Sequence, residues 1–341
     1  MTAARLLLHE GICQTRAAAL DGQGRAVQLY MSSDLDQRPR LGDVLAGTIA
    51  KVSPMDGGCF VNLAGQTQGF LSRRSTDGMV EGQHHTFRIV AEARADKLPR
   101  LLLANEGTIG DVETTHLQRW QSAIPGGDAL AFETGRDAAH DIDAIFEDAQ
   151  SPICAMERGG RLQIVPTPAL IAIDVDTVGR QDKGRASARA RAINLDAART
   201  AARQIALRNL GGNIVLDCVA PLARAQGADI KSAFVDAFRA VSTRRISCLT
   251  PSPLGMMEAT ISHGARPLHD RAGGELLDGL RAVEIEAIAG PTRLLELSVP
   301  KRGYELYLAS KRHVDLALQE RFGARIIIRE SKTPEHGISD Q

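Results

Sequence analysis

The first hundred residues alternate apolar and polar positions with the period of two that marks half-buried strands. Short runs at 5–8 and 17–31 surround the turn Asp21-Gly22-Gln23-Gly24 and predict a small set of paired strands. Arg38-Pro39-Arg40-Leu41-Gly42-Asp43 then interrupts the pattern. Beyond it VLAGTIAKVSP, CFVNLA, QGFLS, HTFRIVAEA and LLLAN follow one another, divided by Gly, Asp and Pro turns. Five short strands within about 60 residues predict a small closed barrel of the OB type.

From about 107 to 157 the chain is weakly patterned and broken by Pro125-Gly126-Gly127. The signal then sharpens into strands over 162–165 and 170–175. An alanine-rich helix over 193–210 follows, closed by Gly211-Gly212 as a glycine cap, and then a strand over 214–216. Helices are expected over 230–241 and 276–289, then a strand over 293–299, a helix over 310–322, a strand over 324–328 and a frayed end over 333–341. The fold class is α+β and multidomain, with divisions at 1–40, 41–106, 107–160, 161–272 and 273–341.

Two apolar strands run into acidic residues. Ile171-Ala172-Ile173 leads to Asp174-Val175-Asp176, and Ile214-Val215-Leu216 leads to Asp217. Alternation puts Asp174 and Asp176 on one side of their strand. If the two strands lie parallel across the intervening helix, Asp217 joins them at the edge where open α/β sheets hold ligands. Crowded carboxylates repel unless a cation lies between them, and an oxygen-only ligand set suits Mg²⁺ or Mn²⁺. The plainer reading, in which each Asp only forms a turn or caps a helix, stands beside it.

Between the acids lies the basic loop Gly179-Arg180-Gln181-Asp182-Lys183-Gly184-Arg185, followed by Arg189 and Arg191. It reads either as a phosphate-binding segment or as a solvated helix start. Aromatic residues are scarce (8 Phe, 3 Tyr, 1 Trp), so Phe60 and Phe70 on consecutive barrel strands stand out. Either they stack bases, with Lys97, Arg73, Arg74 and Arg100 holding phosphates around them, or they fill the barrel core.

Formal net charge is +0, so any contact with nucleic acid must come from local patches. No run of about 18 apolar residues exists, and Leu6-Leu7-Leu8 is cut short by His9 and Glu10. Neither a membrane span nor a secretory leader is expected, and the protein reads as cytoplasmic. The 5 cysteines form no C-x-x-C pair, and His84-His85, His263 and His269 lack ligand spacing, so no zinc is expected.

IAIDVDTVGR followed by INLDAARTAARQIALRNLGGNIVLDCV closely resembles the catalytic core of the ribonuclease E/G family. VLAGTIAKVSPMDGGCFVNLAGQTQGFL resembles that family's inserted S1-like barrel, and SPLGMMEAT and the tail continue the likeness. The resemblance implies a DNase I-like catalytic part at 161–272 and an S1-like RNA-binding barrel at 41–106. It also implies RNase H-like pieces at 1–40 and 107–160, and a small domain at 273–341. It implies a Mg²⁺ ion held by Asp174 and Asp217, with Asp176 at the position of the family's asparagine near the scissile phosphate. Phe60, Phe70 and Lys97 match RNA-contacting positions.

Departures are equally specific. Phe132 and Glu133 replace the Arg-Thr pair that senses a 5′-monophosphate. Pro253 and Ile261 replace arginines, and the Cys-Pro-x-Cys zinc link is absent, so a homo-oligomer is possible but not a zinc-linked one. The expected activity is Mg²⁺-dependent internal cleavage of single-stranded messenger or ribosomal RNA, leaving 5′-phosphate ends. Asp174, Asp176 and Asp217 would be the catalytic residues, and Phe60, Phe70, Lys97, Arg180, Lys183 and Arg185 would hold RNA. The alternatives are a catalytically reduced RNA-binding protein of the same descent and an unrelated metal-dependent phosphohydrolase.

Overall fold

A computed structural model describes residues 3–65, 67–72, 78–94, 97–104, 115–270, 274–333 and 335–340. The chain opens with β1 (Arg5–Gly11), β2 (Gln14–Leu20) and β3 (Ala26–Ser33), antiparallel neighbours in one sheet. The turn between β2 and β3 forms as expected. The Asp21 carboxylate accepts from the backbone N–H groups of Gln23 and Arg25, and Gly24 takes φ 76°.

All five expected barrel strands are present: β4 (Val44–Ser53), β5 (Gly58–Leu63), β6 (Gln68–Ser72), β7 (His84–Ala91) and β8 (Arg100–Leu103). They close in the order β4-β5-β6-β8-β7, as in an OB-like barrel, around Ile49, Val61, Leu71, Phe87, Ile89 and Leu101. Arg73 and Arg74 lie outside the described residues.

The weakly patterned region holds more structure than its sequence suggested. Helix α1 (His116–Ser122) starts with a capping box between Thr115 and Gln118. A short β9 (Phe132–Glu133) adds a parallel edge to β1. Helix α2 (Arg136–Gln150) buries Ala138, Ala139, Ile142, Phe146 and Ala149 on one face. That spacing is helical, but many interleaved charges lower the mean hydropathy and hide it.

A six-stranded sheet follows, built from β10 (Ile153–Ala155), β11 (Arg161–Pro166), β12 (Ile171–Asp176), β13 (Gly212–Asp217), β14 (Ile246–Cys248) and β15 (Met256–Ile261). Its order is β10-β11-β12-β13-β15-β14, and only the β12–β13 pair is parallel. Helix α3 (Ala186–Leu207) makes the crossover between those two strands, and α4 (Gly227–Arg239) packs beside it. Ala197, Ala198, Ala201 and Ala202 are fully buried, so small side chains let α3 lie close to the sheet. Helix α3 begins seven residues before the expected start, at Ala186, and ends at Leu207. The left-handed residue that closes it is Asn209 (φ 55°), a role Asn tolerates, while Gly212 (φ 96°) already opens β13.

The C-terminal unit comprises α5 (Gly274–Ala289), β16 (Leu295–Val299), α6 (Lys301–Ala309), α7 (Lys311–Phe322), β17 (Ile326–Glu330) and β18 (Gly337–Asp340). Two helices stand where one was expected. The end expected to fray is instead strand β18, paired antiparallel with β16. Backbone pairing holds that strand, with help from Arg293, whose Nε donates to Asp340 at 2.7 Å. Neither contact leaves a local signal in the sequence.

Candidate active site and RNA interface

The parallel register places Ile171 opposite Ile214, Ala172 opposite Val215 and Ile173 opposite Leu216. The paired register ends there, and Asp174 and Asp217 are the next residue on each strand. Neighbouring strands lie about 4.8 Å apart, so the two aspartates are lateral neighbours. Ile173 and Leu216 are buried against the helices, and alternation therefore turns both carboxylates to the sheet's open face, where both are exposed. No ion pair neutralises either one among the described residues. Gly255 (φ 89°) closes the site on one side, where a Cβ would come 3.9 Å from Asp217 Oδ1.

The segment after Asp217 is held from the helix side. Asn194, wholly buried in α3, donates from Nδ2 to the Val219 carbonyl (2.9 Å) and accepts from the Val219 N–H (2.8 Å). An amide satisfied by one peptide group on both sides fixes that peptide's position. Asn194 is a positioning residue that sequence reasoning missed. Its signal was a polar side chain inside the helix's apolar stripe.

Asp176 behaves differently. Its Oδ2 accepts from Arg161 Nε at 2.7 Å and its Oδ1 from the Val178 N–H at 2.9 Å. Both contacts, the backbone N–H first, hold its carboxyl below the usual range. Arg161 faces it directly across the β11–β12 hairpin. Among the described residues no group of three or more His, Cys, Asp or Glu side chains could hold a metal ion. The expected three-carboxylate cluster therefore becomes a pair, with the third acid matched to an arginine.

The basic loop also divides. Arg180 is corrected from an RNA contact to an internal strut: its side chain is 3% exposed and its guanidinium reaches Asp182 (2.5 Å) and Asp196 (2.6 Å). Arg191 pairs with Asp229, and Arg189 donates to the Gly184 carbonyl. Lys183 and Arg185 are exposed on the segment leaving the aspartate edge.

In the barrel, Phe60 and Phe70 alternate with buried Cys59, Val61 and Leu71, and neither belongs to the barrel core. Their rings meet edge to face at 5.4 Å on the outer wall. The cross-strand register extends the row: Lys51 stands opposite Phe60, Phe60 opposite Phe70, and Phe70 opposite Arg100. Four strands thus present cation, ring, ring, cation in line. Lys51 was not singled out from sequence, because only the β4–β5 register places it there. Lys97 lies exposed in the β7–β8 connection, bridged to Arg94.

The barrel meets the sheet at the end away from the aspartates. The Glu92 N–H donates to the Gly264 carbonyl (2.9 Å), just beyond His263, which packs on Gly211 and Gly212. His263 is pushed down to about 4 by burial and by Arg94, Arg244 and Arg100, so it is a neutral packing residue at neutral pH. From Gly212 to Asp217 the strand rises about 17 Å at roughly 3.3 Å per residue, which separates the barrel junction from the aspartate edge.

Residues 72–262, more than half of the chain, match the Ribonuclease E/G family, and the chain belongs to that family. It is 32% identical over 165 residues to ribonuclease E of Nostoc sp., an alignment covering 46% of this chain. It is 26% identical over 212 residues to ribonuclease E of Haemophilus influenzae, covering 58% of this chain. Each alignment spans 23% of the relative's own length. No helix among the described residues is long and apolar enough to cross a membrane.

Proposed function

We propose that this protein is a Mg²⁺-dependent endoribonuclease acting on single-stranded RNA, in messenger or ribosomal RNA processing or decay in the cytoplasm. The observation that carries the reading is the exposed pair Asp174 and Asp217, the residues that follow the last β12–β13 pairing, with no ion pair to either among the described residues. Mg²⁺ commonly takes one or two protein carboxylates and completes its shell with water and phosphate oxygens, which fits a two-carboxylate site; Mn²⁺ fits the same ligands. Bound there, such an ion supplies Lewis-acid polarisation of a phosphoryl oxygen and an activated water.

The chain's own residues do the rest. Asn194 fixes the segment behind Asp217. Asp176, ionised and held by Arg161, borders the site and orients what approaches it. Lys183 and Arg185 offer phosphate contacts near the aspartates. At the barrel, Phe60 and Phe70 stack bases while Lys51, Lys97 and Arg100 hold the backbone. On this reading 161–272 is the DNase I-like catalytic part and 41–106 the S1-like barrel. Residues 1–40 and 107–160 form RNase H-like pieces without a 5′-sensor, and 273–341 is a small domain. The retained aspartate pair supports the enzyme over a catalytically reduced binder.

The test uses a fluorescent single-stranded RNA with purified protein in Mg²⁺ or EDTA, beside Asp217→Asn. Internal cuts that need Mg²⁺ and vanish in the variant are expected. Unchanged cutting by Asp217→Asn, or binding without any cut by the parent, would overturn the proposal.

A further inference from the structure

A cavity of about 470 Å³ opens where β3, the base of the barrel, α1 and the segments around 240 and 266 meet. Pockets of roughly 300–1,000 Å³ suit small organic ligands. Five arginines line it against three carboxylates, Asp36, Glu92 and Asp270. Asp36 and Glu92 are both taken by Arg266, at 2.7 and 3.2 Å, and Arg119 is held by Asp43 at 2.9 Å.

Arg244 has no such partner. Its guanidinium donates to the carbonyls of Leu210 (2.7 Å) and Ile205 (3.3 Å) and lies 5.4 Å above the Phe238 ring. Among the described residues it has no carboxylate, and burial without one pulls it down to about 10. A buried cation lacking an anion is costly unless something else supplies the charge. A second, independent observation points the same way. Gln14 lines the cavity, is 7% exposed, and its amide Nε2 has no hydrogen-bond partner among the described residues. Tyr30 and Trp120 also line the cavity, and their rings lie with centroids 5.7 Å apart.

We infer that this cavity binds a free nucleoside monophosphate: its base rests on Trp120 and Tyr30, its phosphate faces Arg244 and Arg40, and Gln14 donates to it. The site is separate from the aspartate pair and from the barrel row. An occupant would touch sheet, barrel and catalytic core together and so tighten their junction. A phosphorylated RNA end carries the same chemistry, and the experiment separates the two sources.

Trp120 is the protein's single tryptophan, so its emission reports on the cavity directly. Full-length Asp217→Asn protein, chosen so that no RNA is consumed, is titrated with AMP and UMP. Parallel titrations use adenosine, inorganic phosphate and a 5′-phosphorylated single-stranded RNA, and thermal unfolding is followed throughout. Saturable change with the mononucleotides is expected, accompanied by a higher Tm. Adenosine and phosphate should each bind at least about tenfold more weakly, and Arg40→Gln and Arg244→Gln should weaken AMP by a similar factor. Should Arg244→Gln fail to fold, Arg40→Gln carries the same comparison. Three results would overturn the inference: no response to mononucleotides, a response to the RNA alone, or an AMP response lost in Phe60→Ala but intact in Arg40→Gln. Loss of cleavage touches none of these readouts, so the two proposals fail separately.

Discussion

The aspartate edge of the sheet and the strut beneath it use the same residue types to opposite ends. At the edge, Asp174 and Asp217 stand side by side, exposed and without a cationic partner among the described residues. A few residues on, Arg180, Asp182 and Asp196 form a network in which the arginine is 3% exposed and both acids are held by its guanidinium. The barrel row repeats the first pattern with the opposite sign, since Lys51 and Arg100 flank two rings with no acid partner among the described residues. Matched charges describe how a chain holds itself together. Unmatched ones in register describe what it waits for. Asp176 lies between these cases, acidic and near the edge yet already answered by Arg161.

Several substitutions would break or sharpen that contrast. The largest effect is expected from Asp174→Asn or Asp217→Asn, which should lower Mg²⁺-dependent cleavage on the order of a thousandfold or more, a loss of several kcal/mol in the transition state. Because both carboxylates are exposed and unpaired, Tm should hardly change. A stable, fully active Asp217→Asn protein would erase the distinction. Arg180→Leu should do the reverse, leaving two acids unpaired and costing about 3 kcal/mol in denaturant unfolding. RNA affinity measured on unfolded-corrected protein should stay near the parental value. If instead affinity falls while stability holds, Arg180 belongs with the RNA contacts after all.

Phe60→Ala and Phe70→Ala should each weaken single-stranded RNA binding by about 1–3 kcal/mol in a direct binding assay. Lys51→Ala should act more gently, reducing the slope of log affinity against log salt by about 0.7. A Lys51 variant with an unchanged slope would remove it from the row.

A pH measurement extends the comparison to the most buried matched acid. Glu284 is 3% exposed on its side chain and sits between His9, Arg281 and Arg321. Burial pushes its carboxyl up, but hydrogen bonds from His9 and Arg281 and their charges more than offset this, leaving it below its ordinary value of 4.5. A folded-state value below the unfolded one adds stability at pH above 4.5, and that stability is lost as pH falls through the folded value. Glu284→Gln should therefore lower stability at neutral pH and flatten the acid limb of the stability profile. An acid limb identical to the parent's would show that Glu284 does not contribute to it.

The barrel was legible because period-two alternation and glycine turns are local, and CFVNLA and QGFLS carry both. The aspartate pair was legible because apolar strands ending in Asp on either side of one helix imply neighbouring strand ends. Helix α2 was missed although its apolar positions repeat helically, because dense charge masked them. Strand β18 was missed because pairing with β16 is a long-range event.

By itself the sequence determined the barrel strands, the strand-helix-strand crossover from β12 to β13, and the edge at which Asp174, Asp176 and Asp217 gather, since each follows from periodicity and chain direction. Only the tertiary structure decided which charges are spent internally. Register set Arg161 against Asp176 and Lys51 beside Phe60, and burial turned Arg180 inward while leaving Arg244 without a counter-ion among the described residues. The physical reason is that a charge's partner is fixed by distance in space, and distance in space is set by packing between segments far apart in the chain.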